Sequence, residues 1–212
     1  KRRPAEDRAL MEAHRFDGKS GSAFVILPRG GDFEVVSAAK GAGSLSPWCL
    51  AKLSGSLPEG TYRLAEGEPG PAALGWLLAQ HRFGDYRSKK DEPEPGAKVL
   101  VTGEAARIEE VVRLAEAIAL VRDLVNRPAA DLGPAELEEA ARELASNSGV
   151  QLRVTSGHDL AKGYPLIASV GGAASADRSP RLIELEWGKA NHPRVAIIGS
   201  VVRPPPLQFG TP

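Results

Sequence analysis

The residue types that bind metals or act as nucleophiles are scattered along this sequence. Its four histidines lie far apart, with no pair at metal-ligand spacing. They are His14, His81, His158 and His192. No Gly-x-Ser-x-Gly turn is present to expose a serine nucleophile. Cys49 is the single cysteine, and its apolar neighbours Trp48 and Leu50 predict a packed, unreactive thiol. By themselves, these residue types predict no active site.

Two glycine-containing segments have part of a phosphate-binding pattern. Gly18-Lys19-Ser20 has the ending of a phosphate-binding loop, but that loop needs a glycine where Ala13 stands. Gly41-Ala42-Gly43 follows an expected strand, as a dinucleotide-binding loop does. Ser46 and the pair Pro47-Trp48 come next, however, so no helix N-terminus is available to hold a pyrophosphate. We therefore expect no phosphate site in either segment.

The composition is that of a globular protein with balanced charge. Of the 212 residues, 42% are hydrophobic, and 27 Lys and Arg balance 27 Asp and Glu. This balance gives no reason to expect a nucleic acid or an anionic membrane as a partner. No apolar run approaches the ~20 residues that cross a bilayer, and the start lacks a secretory pattern. Because a single cysteine also allows no intrachain disulfide, a cytoplasmic location is expected.

Hydrophobic periodicity predicts the elements that would have to position any site. Strands are expected over residues 23–27, 33–38, 98–101, 150–154, 181–187 and 194–199, the last as a buried central strand. Helices are expected over residues 71–83 and 134–148, each opened by a proline. Glu136 is placed to accept backbone N–H groups at the start of the second helix. The mixture of strands and helices predicts an α/β fold.

The clearest element is a long helix over residues 104–126. Its apolar residues recur at three- and four-residue spacing, with Ile108 and Ala115 alongside. They are Val111, Leu114, Ile118, Val121 and Val125. At ~1.5 Å per residue the helix would be about 35 Å long, enough to bridge two domains. Pro128 ends it.

The segment after this helix carries the most specific pattern in the sequence. It reads Leu124-Val125-Asn126-Arg127-Pro128-Ala129-Ala130-Asp131-Leu132-Gly133-Pro134-Ala135-Glu136-Leu137. This string closely resembles a signature of the cytosolic leucyl aminopeptidase family, in which it usually reads Asn-Thr-Pro-Ala-Asn-Asp-Leu-Thr-Pro. Other segments resemble the family in the same order. They are residues 57–64, 75–87, 164–167, 170–171, 179–185 and 195–199.

The resemblance implies a domain organisation and an activity. Residues 1–103 would form a macro-domain-like amino-terminal α/β domain, residues 104–126 a linking helix, and residues 127–199 the first strands and helix of an α/β catalytic domain. Residues 200–212 form an atypical proline-rich tail. The parent protein would release N-terminal amino acids from peptides with free N-termini. It would use two divalent cations, manganese or zinc, and act as a homo-oligomer, a hexamer in this family.

The sequence departs from the family where the metal ligands should begin. After the strand ending at Gly199 the family has a metal-binding lysine, but Ser200 occupies that position here, and no aspartate follows Asp177. We therefore expect no catalytic, metal-binding or substrate-binding residue, and no cofactor or activity in this chain. The start at Lys1 and the unrelated tail indicate a chain truncated before the metal ligands, or a frameshifted or otherwise accidental tail.

A second interpretation is a non-catalytic, macro-domain-like module for binding or oligomerisation. Macro domains bind ADP-ribose, and the segment Gly41-Ala42-Gly43 is the feature of this sequence that would favour such a ligand.

Overall fold

The computed structural model describes residues 3–19, 24–38, 45–86, 96–189 and 191–200. The chain divides into two compact units, residues 1–123 and 124–212. In chain order the elements are α1 (Ala5–Ala13), β1 (Phe24–Arg29), β2 (Asp32–Ser37), α2 (Ala51–Ser56), β3 (Gly60–Arg63), α3 (Ala72–Leu78), β4 (Lys98–Val101), α4 (Ala105–Asn126), α5 (Pro134–Ser148), β5 (Gln151–Ser156), α6 (Gly157–Gly163), α7 (Pro165–Val170) and β6 (Arg181–Glu186). The predicted α/β class is confirmed.

Strands β1 and β2 form an antiparallel hairpin, with Val25 opposite Val36. Val25 and Leu27 are buried whereas Ile26 between them is 42% exposed, because successive strand side chains point to opposite faces. The strands are joined by Gly30 and Gly31, whose φ angles of 55° and 100° favour glycine. The alternation and the turn glycines together account for the hairpin.

A cluster of charged side chains joins α1 to this hairpin. Asp7 of α1 is 4% exposed, and its two carboxylate oxygens accept hydrogen bonds from Arg29 at 3.0 and 2.8 Å. Arg29 also donates to Glu34 at 2.7 Å, and Arg3 donates to Glu34 at 2.9 Å. Hydrogen bonds from Arg3 and then Arg29 lower the pKa of the Glu34 carboxyl. The bidentate hydrogen bond from Arg29 thus compensates for the loss of water around the buried Asp7 carboxylate.

The core of the first unit lies between α2, α3 and the parallel pair β3–β4. Trp76 of α3 is 2% exposed, and its ring centroid lies 5.3 Å from that of Tyr62 on β3. Its indole N–H donates to the Lys98 carbonyl of β4 at 2.8 Å, and its own carbonyl accepts from the Ser54 hydroxyl of α2 at 2.7 Å. The residue Trp76 therefore connects α3 with α2, β3 and β4.

Helix α3 ends at Leu78, earlier than the predicted Phe83. Just after the helix, the Gln80 Oε1 accepts the Lys98 N–H at 2.9 Å while its Nε2 donates to the Lys98 carbonyl at 3.0 Å. The Gln80 side chain thereby pairs with the backbone of β4 as a neighbouring strand would. Periodicity could not indicate this contact, because the partners are 18 residues apart.

We expect Gly75→Ala to destabilise the protein although alanine is the better helix former. A Cβ at Gly75 would lie 2.1 Å from the Pro47 carbonyl oxygen, so backbone would have to move. Overpacking of this kind costs about 1–3 kcal/mol or more. Gly55→Ala in α2 is the matched control, since nothing lies within 4 Å of its Cβ position and it should gain roughly 0.5–1 kcal/mol. Urea unfolding checks both; equal shifts in the same direction would contradict the packing argument.

Helix α4 confirms the predicted long helix, and the residue that it buries lies beside the apolar stripe and not in it. Ala115 is its one buried residue, whereas Leu114, Val121 and Val125 are 47%, 59% and 68% exposed. Tertiary packing determines which side of α4 is buried. The side that carries the apolar stripe is not the side of the helix that lies next to α3. Arg122 on this side donates to the Leu78 carbonyl at 3.3 Å.

In the second unit β5 and β6 pair antiparallel, with Val154 opposite Ile183, and α5 packs against both strands. Helix α5 ends at the predicted residue 148, and Gly149 follows it with a φ of 64°. The prediction of a buried strand over residues 194–199 is wrong: these described residues have no strand conformation, and Val195, Ile197 and Ile198 are 86%, 96% and 93% exposed. A central strand needs hydrogen-bonded neighbours, and the described strands β5 and β6 pair only with each other.

Candidate functional site

The structure brings no metal-binding set together within the residues it describes. There, no three side chains among His, Cys, Asp and Glu lie close enough to hold a metal ion. His14 ends α1, His158 lies exposed on α6 and His192 is exposed after β6. Cys49 packs against the core of the first unit, with its Sγ 3.2 Å from the Ser46 hydroxyl.

His81 is the histidine with a defined carboxylate partner. Its Nε2 lies 2.8 Å from Asp123 Oδ1, which connects the segment after α3 to α4. Next to it is an open groove of about 270 Å³, lined mainly by apolar side chains. The lining residues are Leu77, Leu78, His81, Val112, Ala115, Glu116 and Ala119. The pair of His81 and Asp123 links the segment after α3 to α4. One imidazole and one carboxylate beside an apolar groove do not form a recognisable catalytic arrangement.

The signature segment after α4 forms a tight turn leading into α5. The N–H groups of Asp131 and Leu132 both donate to the Pro128 carbonyl at 3.0 Å, and Leu132 is 5% exposed. The Gly133 N–H donates to Glu136 Oε2 at 2.8 Å, as the sequence predicts for a helix start. The Glu136 N–H and then the Gly133 N–H lower the pKa of the Glu136 carboxyl.

One arginine before β6 bonds to this turn, and another on β6 bonds to the helix that follows it. Arg178 donates to the Ala129 carbonyl at 2.6 Å and also to the Ala130 carbonyl. A Cβ at Gly133 would lie 2.9 Å from Arg178 Nη1, so the glycine that replaces the usual threonine leaves room for this guanidinium. Arg181 of β6 forms an ion pair with Glu138 of α5 at 2.9 Å. The signature is thus a structural turn fixed by Arg178.

Sequence reasoning missed Arg178 as a partner of this turn and Arg181 as a partner of α5. Arg178 lies 49 residues from Ala129, and no periodicity links positions so far apart. The segment Ser179-Pro180-Arg181 was the one nearby signal, because it resembles the family. It did not indicate which part of the chain these residues contact. Long-range contacts of this kind become visible only when the chain is folded.

The structure describes part of the remaining sequence candidates. Ser200 is exposed at the end of the irregular segment after β6. The Lys19 N–H donates to Asp17 Oδ1 at 2.9 Å, a local turn contact. Gly41-Ala42-Gly43 and Ser20 lie outside the described residues. No helix in the described part of the chain is long and apolar enough to span a membrane.

Two family models match the chain in sequence order. The amino-terminal domain of M17 aminopeptidases matches residues 2–102, and the catalytic domain of the cytosol aminopeptidase family matches residues 119–203. A probable cytosol aminopeptidase of Rhodococcus opacus is 36% identical over 144 residues, which cover 61% of this chain and 28% of that protein.

Solved structures give the same result for the fold. A cytosol aminopeptidase from Coxiella burnetii superposes with a TM-score of 0.74 at 28% identity, covering 89% of this chain and 41% of that one. The bottromycin maturation enzyme BotP, in complex with Mn, gives a TM-score of 0.70 at 27% identity, covering 90% and 43%. The chain spans less than a third of the curated relative and less than half of these structures. With both domain models matched in order, this chain belongs to the cytosol aminopeptidase family.

Proposed function

We propose that this chain is the amino-terminal domain, linking helix and opening catalytic segment of a metal-dependent aminopeptidase. The domains would be residues 1–103, 104–126 and 127–199, with residues 200–212 as a tail. The observation that carries the proposal is the ordered match of both family domains. The protein as a whole would release N-terminal amino acids from peptides in the cytoplasm, as a homo-oligomer of six subunits.

The proposed cofactor of the whole enzyme is a pair of divalent cations, manganese or zinc. The Mn complex of the structurally similar BotP supports a divalent cation in such an enzyme. A metal pair activates a water molecule and stabilises the tetrahedral intermediate of hydrolysis. The described residues of this chain do not assemble a donor set for it. Ser200 stands where the family has a metal-binding lysine, and no Asp or Glu follows Glu186.

We therefore expect the 212-residue chain alone to hydrolyse leucine p-nitroanilide no faster than buffer. Added manganese or zinc should leave the rate unchanged, because the paired-metal site would require residues that this chain lacks. Release of p-nitroaniline by purified protein, followed at 405 nm as the standard colorimetric readout, measures the rate. The matched control is a full-length cytosol aminopeptidase under the same conditions. Metal-dependent turnover that chelator abolishes would contradict the proposal for this chain.

The binding-module interpretation is tested in parallel with the same preparation. A thermal shift assay with millimolar ADP-ribose would detect a ligand that binds the folded state, since such binding raises the melting temperature. AMP serves as the control nucleotide. A shift with ADP-ribose alone would favour the module, whereas no shift is the result expected for an aminopeptidase segment.

A further inference from the structure

Helix α1 contacts the first unit through charge and buries no apolar side chain. Asp7 is the one buried residue of this helix, and Met11 is half-buried. Every other residue of α1, including Leu10, is exposed. The helix has nine residues, and isolated helices shorter than ~12–15 residues are marginally stable in water. The helical state of α1 therefore depends on its contact with the hairpin of β1 and β2.

The hairpin has two faces, and α1 lies on the face that is turned away from the core of the first unit. Phe24 and Val35 pack against that core, and successive strand side chains alternate between the two faces. Val25 and Leu27 therefore belong to the second face, as does Arg29, which bonds to α1. Helix α1 also packs against β1. The buried side chains of Val25 and Leu27 thus lie on the face that α1 covers.

Four charged side chains, which we call the α1 latch, connect α1 to this face. They are Arg3, Asp7, Arg29 and Glu34. Arg29 donates two hydrogen bonds to Asp7, at 3.0 and 2.8 Å, and one to Glu34 at 2.7 Å. Arg3 donates to Glu34 at 2.9 Å and lies 3.8 Å from Asp7. Each arginine thus contacts both carboxylates, and the two positive charges balance the two negative ones.

We infer that α1 is a releasable cover of the hairpin, which the α1 latch keeps closed while both of its carboxylates are charged. Loss of one negative charge leaves two arginines beside a single carboxylate, and α1 has no buried apolar residue to replace the lost contact. Helix α1 then leaves as a unit and uncovers Val25 and Leu27. The core around Trp76 stays folded, because it packs on the opposite face of the hairpin.

The α1 latch should weaken in acid. Hydrogen bonds from Arg3 and then from Arg29 lower the pKa of the Glu34 carboxyl in the folded protein. A glutamate with a lowered pKa contributes its full stabilisation above its unfolded value of about 4.3 and loses it as the pH falls through the lowered value. We therefore expect release of α1 below about pH 4 and a closed cover between about pH 5 and 8.

Hydrogen exchange of the full chain at about pH 7 tests this inference with two matched variants. Asp7→Asn should reduce the protection of the α1 amides at least about tenfold, because a neutral amide forms no ion pair with the arginines. The amides of α3 should keep their protection. Glu6→Gln removes the same charge at the neighbouring exposed position and is the control. Unchanged protection of α1 in Asp7→Asn, or an equal loss in Glu6→Gln or in α3, would overturn the inference.

Thiol labelling in a Cys49→Ser background tests whether α1 covers the second face. Val25→Cys places a thiol of similar size at a buried position, and its reaction with dithiodipyridine should become at least about tenfold faster when Asp7→Asn is added. Without Asp7→Asn, the rate relative to that of a free thiol should rise between about pH 7 and pH 3.5. Glu6→Gln should leave it unchanged. A rate that neither Asp7→Asn nor acid raises, or that Glu6→Gln raises equally, would overturn the inference.

Discussion

Trp76→Ala should lower the free energy of unfolding of the first unit by about 3–5 kcal/mol. The indole is 2% exposed and packs between α2, Tyr62 and β4, so its removal leaves a cavity at the junction of three elements. The Lys98 carbonyl also loses the indole N–H donor at 2.8 Å. Urea unfolding followed by far-UV circular dichroism measures the change without relying on tryptophan fluorescence.

Two variants separate the causes of this loss. Trp76→Phe keeps most of the apolar volume but removes the N–H donor, so an intermediate loss of about 1–2 kcal/mol is expected. Trp187→Ala removes the same side chain at a position that is 86% exposed and should change stability by no more than about 0.5 kcal/mol. Equal effects of Trp76→Ala and Trp187→Ala would contradict the assignment of Trp76 to the core.

Amide hydrogen exchange should differ by about a thousandfold or more between β1 and residues 195–199. The β1 amides lie in a hairpin whose Val25 and Leu27 are buried, so exchange there requires opening of the unit. An opening free energy of about 4 kcal/mol already slows exchange roughly a thousandfold. The residues from Val195 to Gly199 have no strand partner and exposed side chains, so they should exchange close to the unfolded rate.

The measurement requires a monomer, because association could protect either segment. Exchange followed by peptide mass spectrometry at low micromolar concentration, with peptides from α5 as an internal reference for the second unit, resolves the two segments. Strong and equal protection of β1 and residues 195–199 in a monomer would contradict the description of the latter segment. Protection that rises with concentration only in residues 195–199 would indicate self-association of this apolar segment.

Local patterns in the sequence predicted most of the elements. The hairpin, the strand 98–101 and the helices α4 and α5 follow from alternation, spacing and capping between residues a few positions apart. Gly149 and Glu136 illustrate this, because each acts on a helix end within four residues of itself. The family also followed from the sequence, since its signature segments occur in one order along the chain.

Contacts between distant residues were beyond this reasoning. The Gln80 side chain bonds to the backbone of β4, 18 residues away, and Arg178 bonds to the turn before α5 from 49 residues away. The prediction of a buried strand at residues 194–199 was wrong, and the apolar repeat of α4 did not indicate which of its faces is buried. In both cases the pattern reported only the apolar character of the segment. Which apolar face is buried depends on the partner that covers it, and only the tertiary structure supplies that partner.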